Sequence, residues 1–270
     1  MIKQLLTVLV LACTALGAAA FRTDTVKVAT KNMPSAIDVT IITPDGAGKS
    51  FPTVYLLNGY SGDHKAWGRI QPRLGELADT YGMVMVMPDG RDTWYWNSPE
   101  QPEMQMESFF IEDLVPYVDA HYPTLKDASK RAITGLSMGG HGAFWLGTRH
   151  PNLFGNIGSM SGGVDIRPFP NNWKMKLRLG EKDKYPQRWE EYTVANIVPQ
   201  IAANGQNITF DCGSDDFFYT VNNNLHNALL EAKVPHDYTS RPGGHTFAYW
   251  ANSILYHLLF FNEAFNAPAK

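Results

Sequence analysis

The sequence predicts an α/β fold with a mostly parallel central sheet, helices on both of its faces and an antiparallel edge at its N-terminal end. From Thr53 onward, short β-branched runs alternate with longer amphipathic stretches, the order expected of parallel strands joined by crossover helices. Two earlier runs, 25–30 and 36–42, have no helical stretch between them and are typical of an antiparallel hairpin. The 270 residues show no repeat or low-complexity run, so we expect residues 21–270 to form a single domain.

Hydrophobic periodicity places the remaining elements. Strands are predicted where β-branched and apolar residues run together, at 53–58, 82–87, 131–136, 155–160, 173–180, 208–212 and 236–240. Helices are predicted where apolar residues recur every three to four positions, at 66–81, 108–121, 139–150, 194–203, 220–232 and 246–261. A parallel sheet of this kind gathers its functional side chains at the carboxyl ends of its strands.

The first twenty residues have the layout of a secretory signal peptide. A basic start at Lys3 precedes an apolar core at 5–16, which is too short to span a bilayer comfortably, and small residues at 18–20 offer a cleavage position. Cleavage there predicts a secreted or periplasmic protein that begins at Phe21 and is not stably inserted in a membrane. Two alternatives stay open: an uncleaved membrane anchor, and lipid attachment at Cys13.

Charge and cysteine content exclude several classes of protein. The formal net charge is -3 at pH 7, so no basic surplus is available to bind nucleic acid. After cleavage Cys212 is the only cysteine, which excludes an internal disulfide. No Cys/His cluster has the spacing of a metal site, and we expect neither a metal nor an organic cofactor.

The segment Gly135-Leu136-Ser137-Met138-Gly139 has the spacing G-x-S-x-G between a predicted strand and a predicted helix. This motif holds a serine in a strained turn, where side chains at the two glycine positions would collide with neighbouring backbone. The hydroxyl of Ser137 is thereby presented above the sheet as a nucleophile. The amide of Met138 would face an oxygen that becomes negative during the attack. With the alternating strands and helices, the motif predicts an α/β-hydrolase fold.

A nucleophilic serine needs a base and an orienting acid, in the chain order Ser, Asp or Glu, His for this fold. His245 ends a glycine loop after the last strand and is the best base; His141, one helical turn beyond Ser137, is its rival. Asp216 is the predicted acid. The remaining candidates for the acid are Asp215, Asp211 and Asp183. His257 is expected on a solvated helix face.

Two further loops follow predicted strands and should therefore reach the same site. The run ending at Asn58-Gly59-Tyr60 predicts a second oxyanion donor, the amide of Tyr60, to within one residue. Trp94 and Trp96 are predicted on the rim, either stacking on substrate or packing against a cap, and Asn97 could orient substrate.

These motifs resemble the putative-esterase family of α/β hydrolases, which includes S-formylglutathione hydrolases, feruloyl and acetyl-xylan esterases, and the antigen 85 mycolyltransferases. The resemblance extends from Tyr55-Leu56-Leu57-Asn58-Gly59 to Gly243-Gly244-His245, and 137–143 is especially similar to the formylglutathione hydrolase branch. It implies Ser137, Asp216 and His245 as the triad. Two features depart from the family: Asn58 stands where histidine is common, and the export signal argues against a glutathione substrate.

The predicted function is a secreted serine carboxylic ester hydrolase that forms an acyl-enzyme. Its partner would be a small-molecule or oligosaccharide ester, such as an acetyl or feruloyl polysaccharide. The alternatives are acyl transfer to a sugar, an S-formylglutathione-type thioesterase, and a non-catalytic carbohydrate-binding protein on the same scaffold. The sequence leaves the oligomeric state open.

Overall fold

A computed structural model describes residues 21–268, so the predicted signal segment 1–20 lies outside the described residues. Eight strands of this part form one sheet in the order β1-β2-β4-β3-β5-β6-β7-β8. Their bounds are β1 Arg22–Val28, β2 Ile37–Thr43, β3 Thr53–Leu57, β4 Val84–Pro88, β5 Arg131–Gly135, β6 Asn156–Met160, β7 Asn207–Gly213 and β8 Asp237–Arg241. Strand β2 runs antiparallel to β1 and β4, and the other pairs are parallel. The predicted fold class, with its antiparallel N-terminal edge, is confirmed.

Each predicted helix has a counterpart and two of them are interrupted, whereas the short helices at 175–179 and 186–191 are not predicted by the sequence. The helices are α1 Ala66–Ile70, α2 Leu74–Tyr81, α3 Met106–Ser108, α4 Val115–His121, α5 Met138–Arg149, α6 Met175–Leu179, α7 Pro186–Glu191, α8 Val198–Asn204, α9 Tyr219–Glu231 and α10 Phe247–Asn266. The predicted helix 66–81 is divided between α1 and α2, because Pro72 has no amide to continue the first helix. A π-helical turn, Phe109–Leu114, joins α3 to α4. Within residues 21–268, no helix is both long and apolar enough to span a bilayer.

Hydrophobic cores lie on both faces of the sheet. All five residues of β3 are buried, and their side chains alternate: Tyr55 and Leu57 belong to one core, Val54 and Leu56 to the other. Helices α5, α8 and α9 pack on the first face, and α1, α2 and α10 on the second. Burial on both sides explains the unbroken apolar runs of the central strands.

The strand predicted at 173–180 is wrong, since this segment contains the short helix α6. The alternation of apolar and basic residues in Trp173-Lys174-Met175-Lys176-Leu177 has the period of a strand. In the structure Met175 and Leu179, four residues apart, are buried, whereas Leu177 between them is 51% exposed. That spacing belongs to one face of a helix.

Candidate active site

Ser137 occupies the tight turn between β5 and α5, with φ 58° and ψ −117°. The two flanking positions are glycines because neither leaves room for a side chain. A Cβ at Gly135 would lie 2.6 Å from the backbone of Gly139, and a Cβ at Gly139 would lie 2.4 Å from the carbonyl oxygen of Leu57. These contacts confirm the steric basis of the motif and place the hydroxyl at the carboxyl edge of the sheet.

Three predicted residues from three different segments meet at this edge. The Oγ of Ser137 lies 2.9 Å from Nε2 of His245, and Nδ1 of His245 lies 2.8 Å from Oδ2 of Asp216. The other oxygen of Asp216 accepts a hydrogen bond from the amide of Phe218 at 2.8 Å, which holds the carboxylate in a 5% exposed position. With Nδ1 protonated and donating to Asp216, the lone pair of Nε2 faces the hydroxyl of Ser137.

The other carboxylates considered for the acid lie elsewhere. Asp215 and Asp183 are exposed. Asp211 is buried, and its oxygens accept hydrogen bonds from Ser253 at 2.8 Å and from His257 at 3.0 Å. Asp216 is therefore the carboxylate that contacts His245. The expectation of a solvated His257 is wrong, because this side chain is only 1% exposed.

His141 lies beneath the site and does not face it. Its Nε2 accepts a hydrogen bond from the indole of Trp96 at 2.8 Å, so Nδ1 carries the proton and donates to the carbonyl of Gly163 at 2.9 Å. Burial lowers the pKa of His141 to about 4. The carbonyl of Ser137 accepts hydrogen bonds from the backbone amides of His141 and Gly163. The imidazole supports the turn indirectly, because it bonds the carbonyl of Gly163.

Of the two alternatives predicted for Trp94 and Trp96, stacking on substrate at the rim is wrong. Packing fits the structure: Trp94 packs against Trp173, with ring centroids 6.0 Å apart. The side chains of Trp94 and Trp96 are 1% and 0% exposed, and both rings pack against His141 with centroids 5.4 and 5.2 Å away. Left-handed backbone at Trp94 and Tyr95, with φ 57° and 63°, turns this loop inward. Asn97 also points elsewhere: it exchanges hydrogen bonds with Ser108 and lines a separate depression beside Trp145 and Tyr192.

The hydroxyl of Ser137 opens instead onto a cleft of about 360 Å³ with aromatic walls. The aromatic residues that line it are Tyr60, Trp173, Phe217, Phe247 and Trp250. The ring of Phe217 stacks on that of Trp173 at 5.7 Å and lies 4.3 Å from the ring of His245. Sequence reasoning missed Trp173, Phe217, Phe247 and Trp250 as cleft residues, although Phe217 directly follows Asp216 and Phe247 follows His245 by two positions.

Tyr60 and Met138 carry the two backbone amides that the sequence predicts as oxyanion donors. Tyr60 lines the cleft, and Met138 is the first residue of α5, so its amide has no carbonyl of the helix to bond. Among the hydrogen bonds of residues 21–268, neither the Tyr60 nor the Met138 amide is a donor. No group of three or more His, Cys, Asp or Glu side chains in the same residues is placed to hold a metal ion.

The chain is similar to known esterases and hydrolases. An acetyl esterase of Caldicellulosiruptor saccharolyticus is 25% identical over 78% of this chain and 83% of its own length. A solved ferulic acid esterase is 27% identical, with a TM-score of 0.75 over 90% of this chain and 98% of its own. The S-formylglutathione hydrolase of Staphylococcus aureus shares the fold, with a TM-score of 0.77, 19% identity, and coverage of 90% of this chain and 99% of its own.

The family profile described as Putative esterase matches residues 30–261, which is most of the chain. The match covers the turn of Ser137 and the loops of Asp216 and His245. The relatives are named as esterases or as a hydrolase, and with the family match they show that the chain is an enzyme that hydrolyses ester bonds. It belongs to the Putative esterase family of α/β hydrolases.

Proposed function

We propose that this protein is a serine carboxylic ester hydrolase with Ser137 as nucleophile, His245 as base and Asp216 as the orienting acid. The observation that carries the proposal is the hydrogen-bonded row from Asp216 through His245 to Ser137, with distances of 2.8 and 2.9 Å, at the mouth of an aromatic cleft. A nucleophile, a base and its orienting group within hydrogen-bond reach are what acyl transfer through serine requires.

The reaction follows from the positions of these groups. Ser137 Oγ attacks the ester carbonyl carbon while its proton passes to Nε2 of His245. The C–O bond to the alcohol then breaks, the alcohol leaves with that proton, and the acyl group remains on Ser137. Water activated by His245 then attacks the acyl-enzyme and releases the acid. The amides of Tyr60 and Met138 would stabilise each oxyanion, by about 3 kcal/mol per donor.

The substrate we propose is an ester carried by a small molecule or an oligosaccharide, such as an acetyl or feruloyl group on a polysaccharide. Aromatic walls suit both an aryl acid and the apolar face of a sugar ring. The similarity to an acetyl esterase and a ferulic acid esterase supports the same substrates. The N-terminal sequence 1–20 supports secretion or export to a periplasm, where such polysaccharides would be met.

The Ser137→Ala variant tests the proposal on p-nitrophenyl acetate. Loss of the nucleophile should lower kcat by about 10⁴-fold or more. Ser240→Ala, which removes an exposed hydroxyl of β8, is the matched control and should keep the wild-type rate. Wild-type turnover in Ser137→Ala would contradict the assignment.

Assays with acetylated and feruloylated oligosaccharides and with S-formylglutathione then rank the substrate classes. The same assays with a free sugar acceptor separate hydrolysis from transfer, because a transferase would convert the acceptor into its ester. Glycan binding by a protein that neither turns over esters nor labels with a fluorophosphonate would favour the non-catalytic alternative.

A further inference from the structure

The peptide unit that joins Gly59 to Tyr60 is fixed by hydrogen bonds to its carbonyl oxygen. Its carbonyl oxygen accepts two hydrogen bonds, from the side-chain amide of Asn58 at 2.9 Å and from the amide of Gly62 at 3.0 Å. The N–H of the same planar unit belongs to Tyr60 and points away from that carbonyl. Fixing the carbonyl therefore fixes the direction in which the Tyr60 amide points.

The side chain of Asn58 is itself oriented without ambiguity. Asn58 is 1% exposed, and its Oδ1 lies 2.9 Å from the amide of Gly90, which can only donate. The side-chain oxygen must therefore face Gly90, and the NH₂ group must face the carbonyl of Gly59. The Tyr95 hydroxyl lies 3.1 Å from both the carbonyl and the Oδ1 of Asn58, and donates to this pair of acceptors.

The surroundings of Tyr95 are shaped to bring its hydroxyl to Asn58. A Cβ at Gly90 would lie 2.2 Å from the Tyr95 hydroxyl, and a Cβ at Gly142 would lie 2.2 Å from the Tyr95 ring. Trp94 and Tyr95 both have left-handed backbone, which is uncommon for bulky residues. Burial raises the pKa of Tyr95 well above its usual value, so the hydroxyl remains a donor.

We propose that Asn58 and Tyr95 are positioning residues for the oxyanion site. Asn58 sets the plane of the Gly59–Tyr60 peptide, and its bond to the carbonyl polarises that peptide so that the Tyr60 amide becomes a stronger donor. Tyr95 holds Asn58 in the orientation that this requires. The inference rests on the proposed function, because it takes the Tyr60 amide as an oxyanion donor.

Asn58→Asp tests the inference, since it replaces the amide donor with an oxygen of similar size. Removal of an oxyanion donor typically costs 10²- to 10³-fold in kcat, so loss of its support should cost about 10- to 100-fold. The KM for p-nitrophenyl acetate should change by less than about threefold, because an oxyanion donor acts on the transition state. Tyr95→Phe, which removes one oxygen atom, should show a smaller fall of the same kind, and Asn58→His, which keeps one donor and one acceptor, should recover part of the rate.

A second readout distinguishes positioning from a general loss of structure. A phenylboronic acid forms a tetrahedral adduct with a serine nucleophile and places an oxygen in the oxyanion site. Its affinity should weaken in Asn58→Asp in parallel with kcat/KM. Asn156→Asp is the matched control: this buried amide donates to the backbone carbonyls of Ser129 and Arg131, near the amino ends of β5 and β6. Its kcat per fluorophosphonate-titrated site should match the wild type.

The outcomes separate the two proposals. If the wild type hydrolyses esters through Ser137 but Asn58→Asp and Tyr95→Phe keep its kcat and boronate affinity, the inference is wrong and the proposed function stands. If Ser137→Ala keeps full turnover, the proposed function fails first. Should Asn58→Asp not fold, Tyr95→Phe decides the question by the same two measurements.

Discussion

Two hydrogen-bonded rows of hydroxyl, imidazole and carboxylate lie side by side among residues 21–268, and only one of them presents its hydroxyl to a cleft. Each takes its hydroxyl from β5 or the turn after it, its carboxylate from β7 or the loop after it, and its imidazole from the segment after β8. We call Ser137, His245 and Asp216 the open row, and Thr134, His257 and Asp211 the closed row. Their hydrogen bonds are similar, between 2.8 and 3.0 Å.

The side chains of the closed row are buried in the core. Thr134 is 0% exposed, and the side chains of His257 and Asp211 are 1% and 3% exposed. The closed row joins β5, β7 and α10, and a substrate carbonyl cannot reach the buried hydroxyl of Thr134. In the open row the imidazole of His245 is 18% exposed, and Ser137 lines the cleft. A row of hydrogen bonds is therefore not sufficient for catalysis, since the hydroxyl must also be accessible to a substrate.

Paired substitutions in the two carboxylates provide the strongest test of this difference. Asp216→Asn should lower kcat by about 10³- to 10⁴-fold, because the amide favours the wrong tautomer of His245. Asp211→Asn should leave kcat per active site within a few-fold of wild type. It should lower the free energy of unfolding by about 3 kcal/mol, because it breaks a buried pair.

Steady-state kinetics on fluorophosphonate-titrated enzyme and urea unfolding of both variants measure these effects. The assigned difference between the two carboxylates would be contradicted if Asp216→Asn were fully active, or if folded Asp211→Asn lost turnover to the same degree as Asp216→Asn.

His141 is a third imidazole near Ser137, and it differs from the other two because its partners are an indole and a backbone carbonyl and not a carboxylate. Its pKa in the folded protein, about 4, is below the unfolded value of about 6.5. Between these values the unfolded chain binds the additional proton. The stability that neutral His141 contributes is therefore complete above pH 6.5 and is lost as the pH falls towards 4.

Between pH 7.5 and pH 5 this loss should be about 2 kcal/mol. Urea unfolding at the two pH values measures the free energy of unfolding. Its decrease from pH 7.5 to pH 5 should be smaller by about 2 kcal/mol in His141→Gln than in the wild type. An equal decrease in both proteins would show that His141 is protonated in the folded state at little cost.

The parts of the site that the sequence predicted well depend on local chemistry and chain order. The glycines around Ser137 are needed by the turn itself, and the loops that hold Asp216 and His245 follow strands of a recognisable parallel sheet. Asn58 was noted as a departure from the family, but its contacts with Gly90 and Tyr95 join segments more than thirty residues apart. No local pattern contains that information.

The misplaced side chains of Trp94, Trp96 and His257 share one physical cause, which is a partner distant in the chain. Trp94 and Trp96 turn inward because His141 receives them and because left-handed backbone at Trp94 reverses the loop. His257 is buried because Asp211 and Thr134 bond both of its nitrogens. In each case the sequence of the segment alone predicts an exposed side chain. The side chain is buried because a residue from another segment packs against it or forms a hydrogen bond with it.

Peptide mass spectrometry of the protein treated with a fluorophosphonate shows which hydroxyl reacts. Among residues 21–268, we expect Ser137 alone to combine a hydrogen-bonded imidazole with an open cleft. We predict one adduct per chain, located on Ser137 by fragment ions and absent from Ser137→Ala, with loss of esterase activity in proportion to labelling. A stoichiometric adduct on another hydroxyl, or an inactivated enzyme with Ser137 unmodified, would contradict this expectation.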